Sequence, residues 1–223
     1  MSLDFGTGRA IFLRPHSFRE FRMRLTTAAL LAALVLAATP VAAASLGGMG
    51  AAIFGNGFNF DKANLDKAPV GAIQVGKQKV TLQSTKLSDI QKAFGGTLQQ
   101  AGEGASRADW ICYGAEGGTV WFLSNALGGF EFVMMVAVEA GKPSAACDPA
   151  PSGFAFPDFG IPGIGASTAD LKAAFGKASG SKIGYRSDRR GGYADIAQYI
   201  GYVIKGGKVA GIGVGETTVP TAH

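Results

Sequence analysis

The sequence predicts an α+β protein made of two tandem repeats, each a short helix packed on a small antiparallel sheet. Two observations carry that expectation. Residues 87–95 read LSDIQKAFG and residues 168–176 read TADLKAAFG, which places Asp89 and Asp170 in matching positions 81 residues apart. Gly128 with Gly129 and Gly206 with Gly207 each stand between two apolar, β-branched or aromatic runs, 78 residues apart. An order of helix, strands, Gly-Gly turn and strand that recurs while its offset changes by only three residues is the mark of a duplicated unit.

Ahead of the repeats, residues 23–44 have the layout of a secretory signal: Arg24 at the start, an apolar stretch over 28–38, a break at Pro40, then small residues. Ala42 and Ala44 place the expected cleavage before Ser45. The apolar stretch is shorter than the roughly 20 residues a spanning helix needs, so no stable membrane span is expected in the mature chain. Residues 1–22 read as an over-extended start, with Met23 as the expected initiator. Removing residues 1–44 leaves 16 basic and 14 acidic residues, so the net charge of +5 falls to +2. Nucleic-acid binding thereby loses its electrostatic basis, and a periplasmic or secreted location is expected. Residues 45–70 form a Gly-rich leader without a period, expected to be mobile, to pack late as a strip, or to fold loosely on its own domain. Its Phe54 and Phe58, with Phe60, are candidates for docking on a partner.

The first repeat is expected over 71–140. A hairpin over 72–75 and 79–82 opens it, and the helix starting at Leu87 puts Leu87, Ile90 and Phe94 on one face. Strands are expected over 109–113, 119–124 and 130–138, the last two joined by the Gly128–Gly129 turn. Pro143, Pro149, Pro151, Pro157 and Pro162 make 141–165 a linker. The second repeat spans 166–217. Ser167 and Asp170 form a capping box ahead of a helix carrying Leu171 and Phe175, and strands follow at 182–185, 198–204 and 209–214, with a tail over 218–223. Helices this short are marginal alone and need a sheet beneath them.

Cys112 and Cys147 are an even pair in an exported chain, where a disulfide is the default. A redox pair would take the CxxC spacing that this pair lacks.

A capped short helix ending in AFG, followed by a β-meander, twice over in a disulfide-bearing exported chain, resembles the tandem fold of the β-lactamase-inhibitor proteins. The related helix-plus-meander unit is similar to the small outer-membrane-assembly lipoproteins. The resemblance covers about residues 80–214 and rests on LSDIQKAFG, TADLKAAFG and the two Gly-Gly turns. It implies a binding module that uses sheet faces left uncovered by the helices, with a protein partner in the cell envelope. This chain lacks the lipid-bearing Cys of the lipoproteins, and the matched positions carry no inhibitory residue.

Candidate contact residues follow from chemistry. Arg186, Asp188, Arg189 and Arg190 in RSDRRGG could grip a carboxylate or phosphate from a loop, or could form a solvated loop partly neutralised by Asp188. Arg107 and Asp109 make a thinner case of the same kind. Tyr185, Tyr193, Tyr199 and Tyr202 carry hydroxyls suited to a half-wet contact surface. Trp110, Tyr113, Trp121, Phe122 and Phe132 divide between core and surface, since alternation sends only about half of a strand's side chains to either face.

Catalytic patterns are sparse, and the enzyme question stays open. The histidines are His16 and His223, so the folded middle offers no imidazole for a triad or a metal site. No cofactor or metal is expected. Ser179 and Lys182 form an isolated SxxK in a Gly-Ser loop without its companion motifs. Asp158, Asp170, Asp188 and Asp195 could supply a carboxylate pair but have no distinctive spacing, and Gly163 and Gly165 lack the third glycine of a phosphate loop. The expected function is an exported, non-catalytic module that contacts a macromolecule through a sheet face or the cleft between repeats. The alternatives are an envelope enzyme and an envelope-structural accessory protein.

Overall fold

A computed structural model describes residues 45–55, 57–60, 64–65, 68–190 and 194–220. The expected signal and start (residues 1–44), Gly191, Gly192, Tyr193 and both histidines lie outside the described residues. The elements run α1 (Gly48–Phe54), β1 (Asn64–Leu65), β2 (Ile73–Val75), β3 (Gln78–Val80), α2 (Leu87–Phe94), β4 (Gln99–Ala101), β5 (Ala108–Ala115), β6 (Gly118–Asn125), β7 (Met135–Ala140) and β8 (Asp148–Pro149). They continue with α3 (Thr168–Phe175), β9 (Lys182–Arg189), β10 (Ala194–Lys205) and β11 (Lys208–Pro220). Helices on a large, mainly antiparallel sheet make this an α+β fold.

The strands of the two halves join in one sheet, ordered β1-β9-β10-β11-β7-β6-β5-β4, with β8 also on β5. Whether the two small sheets are shared or apart is open in the sequence, and the structure joins their strands in one sheet. The join is the antiparallel pairing of β11 with β7, running from Gly211 opposite Glu139 to Gly215 opposite Met135. Each meander thus meets the other along its last strand, so the order outward from the join is third, second, first on both sides.

Strand alternation sends two sets of side chains to opposite faces. Ile111, Tyr113, Val120, Phe122, Val136, Val138, Ile183, Tyr185, Ile200, Tyr202, Ile212 and Val214 face a core shared with α2, α3 and the β2–β3 hairpin. Leu87 and Ile90 of α2 and Leu171 and Phe175 of α3 are buried in that core, and each such side chain stabilises by about 1.5–3 kcal/mol. Packing of this kind holds helices of eight residues that would not persist alone. The α3 capping box forms as the sequence requires: the Asp170 N–H donates to Ser167 Oγ at 3.2 Å, and the Ser167 N–H donates to the Asp170 carboxylate at 2.7 Å. The Ser167 N–H, together with the Ser167 hydroxyl that donates to the same carboxylate at 2.8 Å, holds the Asp170 carboxyl below its ordinary range.

The two Gly-Gly segments differ. Gly206 and Gly207, with φ of 57° and 76°, make the two-residue turn between β10 and β11, and positive φ at both positions matches the twist of a tight hairpin. Gly128 and Gly129 form no such turn. A 3-10 turn over Ala126–Gly128, capped by the Asn125 side chain, starts a longer excursion before β7 begins at Met135. Lys86 and Phe132 form a β-bridge within it, which ties the excursion to the start of α2.

Described residues of the leader pack on the sheet: α1 lies on the face opposite α2 and α3, and Met49, Ile53 and Phe58 are buried there with Trp110, Trp121, Leu123 and Ala137. The Met49 N–H donates to the Glu139 carboxylate at 3.0 Å. What admits the leader is a row of small residues adjacent in register across four strands: Gly184, Gly201, Gly213 and Ala137. A Cβ on Gly213 would stand 2.8 Å from Ile53 Cβ, one on Gly201 2.6 Å from the Phe58 ring, and one on Gly184 2.7 Å from the Asn59 carbonyl oxygen. Past Phe60 the chain reaches β1, which pairs in parallel with β9 and caps that edge.

Cys112 and Cys147 form a disulfide across 35 residues, which fixes the short β8 segment beside β5. Replacing Cys112 with Ala should lower stability by about 3–4 kcal/mol in non-reducing buffer, with no difference from the unaltered protein under full reduction. Equal urea midpoints in both buffers would contradict this. Gly213→Ala should cost about 1–3 kcal/mol, because the added methyl meets the root of the Ile53 side chain, which has little room to swing. A thermal midpoint unchanged in the variant would show that the leader is not seated on this strand.

Candidate functional site

The residues singled out from sequence do not form one cluster. Arg186, Asp188 and Arg189 lie on β9, not on a loop, so alternation separates them. Arg186 and Asp188 sit on the α1 side and pair with each other at 2.7 Å, while Arg186 also lies over the Tyr199 ring, 5.6 Å from its centre. Arg189 is on the helix side, and Arg190 is exposed just beyond the strand.

Tyr185 and Tyr202 belong to the core rather than to a half-wet surface. Tyr185 stacks on Phe175 at 4.3 Å and its hydroxyl donates to the Lys177 carbonyl at 2.5 Å. The Tyr202 hydroxyl donates to the Pro162 carbonyl at 2.9 Å. Burial pushes the Tyr185 hydroxyl up to about 12 and raises that of Tyr202 as well, with Tyr185 adding to the effect. Tyr199 is half-buried on the α1 side, edge-on to Phe60 at 5.2 Å. Trp110, Tyr113, Trp121 and Phe122 are buried, and Phe132 is half-buried.

The remaining candidates have local structural jobs. Arg107 grips Asp109 with two bonds of 2.7 Å and lies over Phe130 at 4.0 Å. No hydrogen bond joins Ser179 to Lys182 among the described residues, although both border one shallow recess. Asp170 caps α3, Asp188 pairs with Arg186, and Asp158 accepts the Gly160 N–H, so these carboxylates serve separate elements. Among the described residues no three His, Cys, Asp or Glu side chains converge as metal ligands.

One recess combines polar chemistry with burial. It is a cleft of about 550 Å³ between the first-half segment 68–84 and the second-half strands β9, β10 and β11. Its apolar lining comes from Val70, Ile73, Val80, Leu82 and Ile196, and its polar lining from Gln83, Arg189, Gln198, Glu216 and Thr218. Gln198 is 1% exposed and Glu216 8%. Gln198 Nε2 donates to Glu216 Oε2 at 3.1 Å and to the Val70 carbonyl at 2.8 Å, while Gln198 Oε1 accepts the Val70 N–H at 3.0 Å. Gln83 Nε2 donates to Glu216 Oε1 at 2.9 Å, and Arg189 donates to Glu216 Oε2 at 3.1 Å. The Thr218 hydroxyl completes the set by donating to Gln83 Oε1 at 2.6 Å. One guanidinium and two carboxamides thus supply the hydrogen bonds that a nearly buried carboxyl group requires.

Gln83, Gln198 and Glu216 escaped the sequence reading, yet a signal existed. On β10 the apolar-facing positions are Gln198, Ile200 and Tyr202, and on β11 they are Ile212, Val214 and Glu216. A polar residue on the apolar parity of a strand marks a buried site that requires partners. With this geometry in view, no family model, curated protein or solved structure matches the chain.

Gln198→Ala should leave the Val70 N–H and carbonyl without their partner and remove a donor from Glu216. A loss of about 1–3 kcal/mol is expected for each buried group so stranded, read by urea denaturation. A loss below 0.5 kcal/mol, on the order of a surface substitution, would mean that Gln198 does not hold the cleft wall.

Proposed function

We propose that this protein is an exported binding module that contacts a macromolecular partner in the cell envelope through the cleft between its two halves. The observation that carries this is the covering of the sheet: α2, α3 and the β2–β3 hairpin pack on one face and the chain's own leader on the other. The sheet face expected to meet a partner is therefore occupied, and the cleft is a recess with polar lining from both halves. Arg189 stands at its rim with a side chain 46% exposed, and Arg is a residue type that dominates binding energies.

Export by a signal over residues 23–44, with cleavage before Ser45, belongs to the same proposal. The Cys112–Cys147 disulfide supports it, and among the described residues no helix is long and apolar enough to cross a membrane. Duplication of one helix-plus-meander unit, as in the β-lactamase-inhibitor proteins, is supported by a shared stitch. The Tyr113 hydroxyl donates to the Gly95 carbonyl just after α2, as the Tyr185 hydroxyl does to Lys177 just after α3.

Immobilised protein beginning at Ser45 should retain a partner from periplasmic extract. Arg189→Ala should weaken retention about tenfold, the equivalent of 1.4 kcal/mol, whereas Tyr199→Ala, on the opposite face, should leave it unchanged. Equal retention by the Arg189 variant together with loss in the Tyr199 variant would move the contact to the leader face. No retained partner would refute the binding function.

A further inference from the structure

We infer that the cleft reads peptide main chain: it takes a short, uncharged, extended segment of the partner, with Gln83 as the side chain that pairs with its amide. This rests on the cleft being the contact site.

The recognition chemistry is already in use within the protein. The Gln198 carboxamide bonds to a single residue's backbone, accepting the Val70 N–H and donating to the Val70 carbonyl. A carboxamide offers one acceptor and one donor side by side, the complement of a peptide unit. Gln83 presents a second carboxamide in the same cleft. Its orientation is fixed at three points: its N–H donates to the Val133 carbonyl at 2.8 Å, and its side chain is tied to Glu216 and to Thr218. Each end of that side chain keeps further capacity, one N–H and one lone pair. Its backbone has φ of 60°, a left-handed conformation unusual for a residue with a side chain. Such strain persists where surrounding bonds enforce it, and it collects at ligand clamps.

The surroundings narrow the ligand further. Arg189 and Glu216, the charged side chains among the described residues that line the cleft, pair with each other, which favours an uncharged ligand over an ion. No aromatic ring lines the cleft among the described residues, which leaves a sugar ring or nucleobase without a stacking surface. Val80, Leu82 and Ile196 offer an apolar wall for a side chain. The volume falls within the range of about 300–1,000 Å³ usual for ligand sites.

The test uses a displayed library of random heptapeptides selected on the intact protein, followed by synthesis of an enriched peptide with one backbone N-methyl group at each position in turn. Uncharged sequences should be enriched. N-methylation at one or two positions should weaken binding tenfold or more, and Gln83→Ala should weaken the unmodified peptide to a similar degree. Thr218→Val, which only releases Gln83 Oε1, should give a smaller loss with an unchanged thermal midpoint, so a folding defect in the Gln83 variant would not mask the result. Chitooligosaccharides serve as the competing probe. Failure to enrich any peptide, indifference to N-methylation, or Gln83-dependent binding of the sugar would each overturn the inference. Retention of an envelope partner that depends on Arg189, without peptide binding, would refute the ligand class and leave the cleft as the contact site. Absence of both would refute the two together.

Discussion

The fold turns on the middle of β11, residues 211–215, being paired on both edges and covered on both faces. Those residues hydrogen-bond to β10 on one side and to β7 on the other, with the helix-side core on one face and the leader on the other. The sequence of that strand answers with strict alternation. Ile212, Val214 and Glu216 face the helices, while Gly211, Gly213 and Gly215 face the leader side. One parity supplies volume to the core and the other removes it, so that α1 can approach the backbone. Glycine within a strand normally weakens it. Here the loss is offset by burial of Met49 and Ile53, which the glycines let approach the strand.

The same strand explains why the polar site lies where it does. After Val214 the helix-side parity continues with Glu216 and Thr218, beyond the cover of α3 and under the first-half hairpin. A carboxylate at that depth requires donors from every neighbour. They come from β9 through Arg189, from β10 through Gln198, and from the loop after β3 through Gln83. The two halves share a helix, a meander and a tyrosine stitch, but among the described residues the β2–β3 hairpin has no counterpart in the second. That asymmetry makes the cleft, because the extra hairpin of one half covers the strand ends of the other.

Much of the fold was legible because its signals are local. The AFG helices, the cap at Ser167, the Gly206–Gly207 turn and the hairpin over 72–82 each rest on a few adjacent residues whose conformational preferences agree. The failures share a different cause. Gly128 and Gly129 resemble a hairpin turn, but Asn125 caps a 3-10 turn there and the bridge between Lys86 and Phe132 draws the chain away. The arginines of RSDRRGG resemble a polar loop, yet pairing with β10 extends β9 to Arg189. The leader lacks periodicity, and its helix is specified by a row of glycines lying more than a hundred residues later in the chain. The gripping chemistry of Arg, Tyr and Trp is plain from residue type, whereas which of them share a surface depends on pairing between distant strands. Gln198 and Glu216 were visible only as polar residues on an apolar parity.

The seat of α1 also dictates an order of events. The leader is the first described segment to be made, and Gly201, Gly211 and Gly213, which form much of its platform, are among the last. Long-range contacts of this kind form slowly, because loop-closure entropy must be overcome before they contribute. The amino-terminal apolar residues must therefore wait unprotected while nearly the whole chain is synthesised, and this protein cannot complete its fold stepwise from its front end.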